Sequence, residues 1–144
     1  MSDDLFLVDT NILLYAYNQD DAEKRDICKA IVEKCWNGKQ KYAVSIQNLS
    51  EFYVIITQKI KPPVPTEIAR QIVQDIIDFS NWQVLEFNSK TLVSAMKLNT
   101  RHNIHYWDAL ICATMMENGI TCVYTENVKD FNKIPGLTVV NPVL

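Results

Sequence analysis

Short apolar runs that alternate with helical segments are the feature that most constrains how this chain folds. The first run, residues 5–8, is apolar at every position and ends at Asp9. An uninterrupted run of this kind is typical of a strand buried on both faces of a sheet. Further strands are predicted at residues 42–45, 82–87, 120–125 and 137–140. The alternation therefore predicts an α/β fold, with a five-stranded parallel sheet flanked by helices on both faces.

Polar residues mark where most of the connecting helices begin. Helices are predicted over residues 10–17, 22–36, 46–59, 67–79, 89–102 and 106–118. Four of these helices are preceded by a side chain that can accept a hydrogen bond from a free helix N–H. The predicted capping residues are Asp20 or Asp21, Ser45, Thr66, and Asn88 or Ser89. After the proline-rich segment 61–65, one helix face is expected to be buried through Ile68, Ile72, Ile76 and Phe79.

The overall charge limits the partners that the chain can bind through charge alone. The 144 residues carry a net charge of −3, and 48% of them are hydrophobic. This is enough apolar material for one core, and we expect a single domain over residues 1–144. A protein that binds duplex nucleic acid only through its phosphates is usually basic. The composition argues against such a module, but not against a nuclease whose acidic site binds metal cations.

Cysteine spacing and the length of the apolar runs indicate the compartment. The four cysteines lie in apolar patterns and form no C-x-x-C pair, and His102 and His105 lack the spacing of zinc ligands. We expect the cysteines to be small buried residues of a reducing compartment. The acidic first residues are unlike a secretory signal, and the longest apolar run, 109–116, is too short to span a membrane. A cytoplasmic protein without a membrane partner is therefore expected.

Acidic residues stand where the predicted strands and helices meet. Asp9 closes the first strand, Glu51 lies early in the helix after the second, and Asp108 lies in the first turn of an apolar helix. Glu126 and Asp130 follow the fourth strand. Each has a simpler interpretation, because carboxylates also cap helices, stabilise helix N-termini and occupy turns.

Their common placement favours a shared site over these separate roles. In open parallel sheets, ligands bind beyond the carboxyl ends of the strands, and most of these acids are predicted there. Carboxylates packed closely repel one another, and a hard divalent cation relieves that repulsion. Such an ion can orient water and stabilise charge on phosphorus. The acids therefore predict a magnesium site that hydrolyses phosphodiester bonds.

Four segments of the chain together resemble the PIN-domain ribonucleases, most of all the VapC toxin type. In order, they are Val-Asp-Thr-Asn at 8–11, Ser-Glu-Phe at 50–52, Tyr-Trp-Asp-Ala-Leu-Ile at 106–111 and Thr-Glu-Asn-Val-Lys-Asp-Phe at 125–131. They resemble the family's D-[TS]-N opening, its helix glutamate, its D-A-x-[IL] motif and its closing T-x-N-x-x-D-F motif. The resemblance spans nearly the whole chain.

The resemblance implies a PIN-like domain that cleaves single-stranded or structured RNA with Mg²⁺, or with Mn²⁺ in its place. It implies that Asp9, Glu51 and Asp108 ligate the metal, while Thr10 and Asn11 organise the surroundings of the first acid. It also implies a homodimer and an antitoxin protein whose tail enters the site.

The fourth acid is left open between two residues by the resemblance. Asp130 is preferred as a further catalytic and metal-binding residue because it stands in the N-x-x-D-F segment. Glu126 remains the alternative.

Other α/β proteins fit the sequence less well. The main alternative is a catalytically inactive PIN-like module that binds RNA or a partner protein. A receiver domain needs paired acids at the end of the first strand, whereas Asp3 and Asp4 precede it. A haloacid-dehalogenase phosphatase needs D-x-D, and Asn11 occupies the second acid position.

Two aromatic residues precede Asp108. Tyr106 and Trp107 are expected to pack in the core beside the apolar helix, and stacking on a nucleobase is the alternative.

Overall fold

The five predicted strands form one parallel sheet in a computed structural model, which describes residues 4–17 and 20–144. The second strand has its predicted bounds, and the other four are one to three residues shorter than predicted. They are β1 (Phe6–Val8), β2 (Tyr42–Ser45), β3 (Trp82–Leu85), β4 (Cys122–Tyr124) and β5 (Thr138–Val140). Their order in the sheet is β3-β2-β1-β4-β5, and every neighbouring pair is parallel. The predicted fold class is confirmed.

The strand order creates a crevice between β1 and β4. The chain leaves β1 towards β2 on one side, whereas it leaves β4 towards β5 on the other. Helices that depart in opposite directions leave a gap at the carboxyl ends of the two strands, and ligands of open α/β sheets bind at such a switch point. Asp9 follows β1 directly, so the fold places it at this gap.

The six predicted helices are present, and a seventh short helix joins them in the described ranges. The bounds are α1 (Thr10–Tyr17), α2 (Ala22–Trp36), α3 (Ile46–Gln58), α4 (Thr66–Asp78), α5 (Ser89–His102), α6 (Tyr106–Glu117) and α7 (Val128–Phe131). The last was not predicted, because four residues are too few to show a helical period. None of these helices is long and apolar enough to cross a membrane.

Three of the four predicted N-caps are confirmed. Asp21 accepts a hydrogen bond from the N–H of Lys24, and Asn88 caps α5. Ser45 forms a reciprocal capping box with Asn48 at the start of α3. The prediction for Thr66 is wrong: Thr66 is already the first helical residue, and the N-cap is Pro65, which has no side-chain donor or acceptor.

The buried face of α4 also differs from its prediction. Ile76 is buried, but Ile68 exposes 55% of its surface, and the small Ala69 is buried instead. Because successive residues are about 100° apart around a helix, the face centred on Ala69 and Ile76 excludes Ile68. Ile72 and Phe79 are partly buried against the same cluster, so the prediction is wrong for Ile68 and confirmed for the other three residues.

Side chains of the strands alternate between two apolar clusters, one on each face of the sheet. Leu7 and Ala43 pack against α5 and α6, whereas Val8 and Val44 pack against α1, α2 and α3. Every residue of α6 from 109 to 115 is buried, as its apolar sequence predicted. All four cysteines are buried and free. The two clusters fix the helices that carry Glu51 and Asp108.

Replacing Ser45 with alanine should destabilise the protein by about 1–2 kcal/mol, because the cap at the start of α3 is lost. Ser45 is fully buried, and its hydroxyl contacts both the N–H and the side-chain oxygen of Asn48. Ser50→Ala is the matched control: Ser50 is exposed on the same helix, and its loss should change the free energy of unfolding by less than about 0.5 kcal/mol. Urea unfolding measures both, and equal losses would contradict the role given to the cap.

Candidate active site

A pocket of about 280 Å³ opens at the carboxyl ends of β1 and β4. Three of the predicted acids line it together, from three different elements. The lining residues are Asp9, Thr10, Asn11, Leu14, Glu51, Ile55, Asp108, Ile111 and Asn127. The convergence expected from the strand pattern is therefore present for Asp9, Glu51 and Asp108.

Asp9 is nearly buried and accepts hydrogen bonds at both carboxylate oxygens. Its Oδ1 accepts from the Thr10 N–H at 2.8 Å and from the Asn48 amide at 3.1 Å. Its Oδ2 accepts from the Thr125 hydroxyl at 2.7 Å and from the Asn11 amide at 3.4 Å. Burial raises the pKa of Asp9, and the hydrogen bonds from Thr125 and Thr10 offset only part of that rise. The carboxylate is thus held in one position at an energetic cost.

Asn48 and Thr10 connect Asp9 to Glu51. The Asn48 amide donates to the Thr10 hydroxyl at 2.9 Å, and that hydroxyl donates to Oε1 of Glu51 at 2.8 Å. Asn48 is fully buried and also completes the capping box of α3. No role was predicted for Asn48 from the sequence. A buried polar residue three positions before a candidate acid was the available signal.

Asp108 is joined to Asp130 through one amide. The Asn127 side chain donates to Oδ2 of Asp108 at 2.7 Å and to Oδ2 of Asp130 at 3.3 Å. Burial raises the pKa of Asp108 to about 7, and the negative charges of Asp9 and Asp130 add to the rise. Asn127 was noted as part of the closing segment, but its bridging position was not predicted.

The two candidates for the fourth acid have different surroundings. Burial raises the pKa of Asp130, but hydrogen bonds from Asn127 and Lys133 outweigh it, and the pKa is lowered. Glu126 does not line the pocket; it forms a 2.8 Å ion pair with Lys24 and accepts a 2.7 Å hydrogen bond from Tyr15. The hydrogen bond from Lys24 is the main reason that its pKa is lowered. Asp130 therefore lies with the other acids, and Glu126 does not.

Asn11 joins the two strand ends that border the pocket. Its amide nitrogen lies 3.4 Å from Oδ2 of Asp9 and 3.5 Å from the Thr125 hydroxyl, and its oxygen accepts from the Glu126 N–H at 3.2 Å. The first turn of α1 is thereby tied to the segment that follows β4.

The chemistry of the pocket fits a hard divalent cation. Its charged groups are carboxylates, which are the ligands that Mg²⁺ prefers, and nearby negative charges already raise the pKa of Asp9 and Asp108. Within residues 4–17 and 20–144, however, no three acidic, histidine or cysteine side chains stand close enough to hold an ion in their present positions. A cation would therefore have to draw them together.

Trp107 is not in the core, in contrast to its prediction. It exposes 61% of its surface, while the neighbouring Tyr106 is partly buried against the cluster around α6. The two rings meet edge to face, with centroids 5.2 Å apart. The buried part of α6 begins only at Ala109, so the first turn leaves Trp107 outside.

Comparisons with known proteins agree with the fold. A family model described as the PIN domain matches residues 6–137. None of the curated protein sequences matches the chain.

Solved structures with a similar fold include components of toxin–antitoxin systems. VapC20 of Mycobacterium tuberculosis, a toxin that cleaves the sarcin–ricin loop, is 19% identical with a TM-score of 0.69, over 92% of this chain and 96% of that one. VapBC2 of Rickettsia felis, bound to a DNA fragment from its promoter, is 23% identical with a TM-score of 0.64, over 95% of this chain and 98% of that one. A toxin–antitoxin complex from Klebsiella pneumoniae is 23% identical with a TM-score of 0.62, over 95% of this chain and 97% of that one.

The raised pKa of Asp108 predicts how stability changes with pH when no metal is present. Its pKa is about 7 in the folded protein, against an ordinary value of 3.8, so between these values the folded state holds a proton that the unfolded state has released. Stability should therefore fall as the pH rises through this range. Asp108→Asn removes the titrating group, so the variant should lose less stability than wild type as the pH rises. The difference in the free energy of unfolding, variant minus wild type, should increase by about 1–2 kcal/mol from low to high pH. This range allows for solvent screening of a half-buried group.

Thermal and urea unfolding in EDTA, at about pH 4.5 and about pH 8, measure this difference. Asp75→Asn, an exposed change on α4, is the control and should show little dependence. If the free energies of unfolding of wild type and Asp108→Asn differ by the same amount at both pH values, the raised pKa of Asp108 is contradicted.

Proposed function

This chain belongs to the PIN-domain family, and we propose that it is a metal-dependent endoribonuclease that acts as the toxin of a toxin–antitoxin pair. The observation that carries the proposal is the meeting of Asp9, Glu51 and Asp108 in one pocket at the switch point of the sheet. Fold similarity to a toxin that cleaves the sarcin–ricin loop supports RNA as the substrate. The cytoplasm follows as the place of action, because cellular RNA is there.

The proposed cofactor is Mg²⁺, with Mn²⁺ able to replace it, and Asp9, Glu51 and Asp108 would hold it. When bound, such an ion activates water and neutralises charge that develops on the phosphate. The raised pKa values of Asp9 and Asp108 mean that the site binds a proton readily when no cation is present. Metal and proton therefore compete for the same carboxylates.

Residues around the acids set their positions. Thr125 and Thr10 donate to the two oxygens of Asp9, and Thr10 also donates to Glu51. These bonds fix the direction of each carboxylate before substrate arrives, which reduces the rearrangement needed during the reaction. Asn11 supports the same arrangement by tying α1 to the segment after β4.

Asp130 is proposed as the fourth acid of the site. It shares the Asn127 amide with Asp108, and its negative charge contributes to the raised pKa of Asp108. Glu126 is proposed to have a structural role only, because its carboxylate contacts Lys24 and Tyr15 and not the residues that hold Asp108.

Protein partners are part of the proposal. Fold similarity to toxin–antitoxin complexes supports an antitoxin, and the family resemblance supports a homodimer. Exposed apolar side chains border a groove between α3 and α4, among them Val54 and Ile77, and such surface is typical of protein interfaces.

The decisive variant is Asp9→Asn, which keeps the size of the side chain but removes its charge. Cleavage of labelled RNA in Mg²⁺ should fall by at least about a hundred-fold, because the site loses a ligand charge. The fold should remain intact by circular dichroism. Asp130→Asn should also slow cleavage.

Glu126→Gln is the control, since Glu126 lies outside the pocket, and it should cut at close to the wild-type rate. Wild-type rates for Asp9→Asn would contradict the assignment. RNA binding by the wild type with no products in Mg²⁺ or Mn²⁺ would favour the inactive PIN-like module instead.

A further inference from the structure

Trp107 is the one aromatic residue of the described ranges whose side chain is largely exposed. The other two tryptophans lie among aromatic rings: Trp82 is 3% exposed, and the Trp36 ring is 5.0 Å from that of Phe79. Leaving an indole in water forgoes the burial that normally makes tryptophan stabilising. Its exposure therefore needs a reason outside the core.

Contacts hold Trp107 beside the acidic pocket. It is the residue before Asp108, and its carbonyl accepts a 2.9 Å hydrogen bond from the Gln47 amide. The same amide nitrogen lies 3.4 Å from Oε2 of Glu51. One side chain thus ties the Trp107 backbone to an acid of the pocket, and the edge-on contact with Tyr106 limits the ring further.

Gln47 has a second feature that points to a ligand. The residue is only 8% exposed, and its Oε1 has no hydrogen-bond partner. Buried acceptors without partners are rare in folded proteins, because they lose their water without replacement. The free oxygen belongs to the amide that contacts Trp107 and Glu51.

The charge of the protein favours a nucleobase over a phosphate at this position. With a net charge of −3 and an acidic pocket, the chain gains little from nonspecific attraction to a polyanion. Stacking of a base on an aromatic face adds affinity that does not depend on charge. An exposed indole next to the acids supplies such a face.

We propose that Trp107 is a stacking platform for an unpaired nucleobase of the RNA, next to the bond that is cut. The proposal rests on the proposed ribonuclease function and specifies its substrate class. A base inside a duplex is stacked on its neighbours and cannot lie on the indole, so unpaired RNA is preferred over duplex RNA.

The test measures RNA binding in an Asp9→Asn background, which binds without cutting. The probes are a fluorescently labelled mixed-sequence single strand and the same strand annealed to its complement. Trp107→Ala should weaken binding of the single strand roughly ten-fold, and Trp107→Phe should restore most of it, because a phenyl ring still stacks. Duplex binding should not change between these variants.

Met116→Ala is the matched control. Met116 is an apolar residue near the other end of α6 that exposes 53% of its surface. Its replacement should leave RNA binding unchanged. Unfolding temperatures of all variants report any general loss of structure, and none is expected for Trp107→Ala because the ring is largely in water.

Three results would overturn the proposal. The first is that Trp107→Ala binds the single strand as tightly as the protein with Trp107 does. If the protein with Asp9 intact still cuts RNA, this result contradicts only the role of Trp107 and not the ribonuclease function. The second is a change in self-association of Trp107→Ala, measured by sedimentation, with RNA affinity unchanged, which would place Trp107 in a protein interface. The third is absence of both RNA binding and cleavage in the protein with Asp9 intact, which would remove the ribonuclease function as well.

Discussion

The burial of one carboxylate, Asp9, is the constraint on which the rest of the site depends. A charged group at the end of a central strand is costly unless its oxygens are hydrogen-bonded. Thr10, Asn48 and Thr125 supply those bonds from α1, α3 and the end of β4. Three elements are thereby fixed around a single side chain, and Glu51 is brought in through the Thr10 hydroxyl. A polar network of this kind holds its geometry only when every member is satisfied.

The same arrangement concentrates negative charge that the protein does not neutralise by itself. The charge of Glu51 adds to the raised pKa of Asp9, and the charge of Asp9 adds to the raised pKa of Asp108, whereas Glu126 pairs with Lys24. Lys24 thus pairs with the acid outside the pocket, whereas no lysine or arginine of the described residues lines the pocket itself. A structural cluster would be expected to carry its own counter-charges. A site that binds a cation has a reason to leave them out.

Much of this could be predicted from the sequence, because strand periodicity and the position of Asp9 after a buried run are local signals. The parallel sheet follows from the alternation, and the place of Asp9 follows from the switch-point rule, whereas Asp108 was assigned to the site through the family resemblance. The Asn127 bridge and the Asn48 contact could not be predicted, since they depend on distances between side chains of different elements. Trp107 and Ile68 were misplaced because composition indicates that a helix is buried but not where its buried face is centred.

The most direct measurement is anomalous X-ray diffraction from crystals of the protein soaked in Mn²⁺, which locates a bound ion without depending on activity. The account predicts an anomalous peak within coordination distance of carboxylate oxygens of Asp9 and Asp108, and its loss in crystals of Asp9→Asn. A peak elsewhere, or none in the pocket at a concentration that saturates binding in solution, would contradict the proposal that these acids form a metal site.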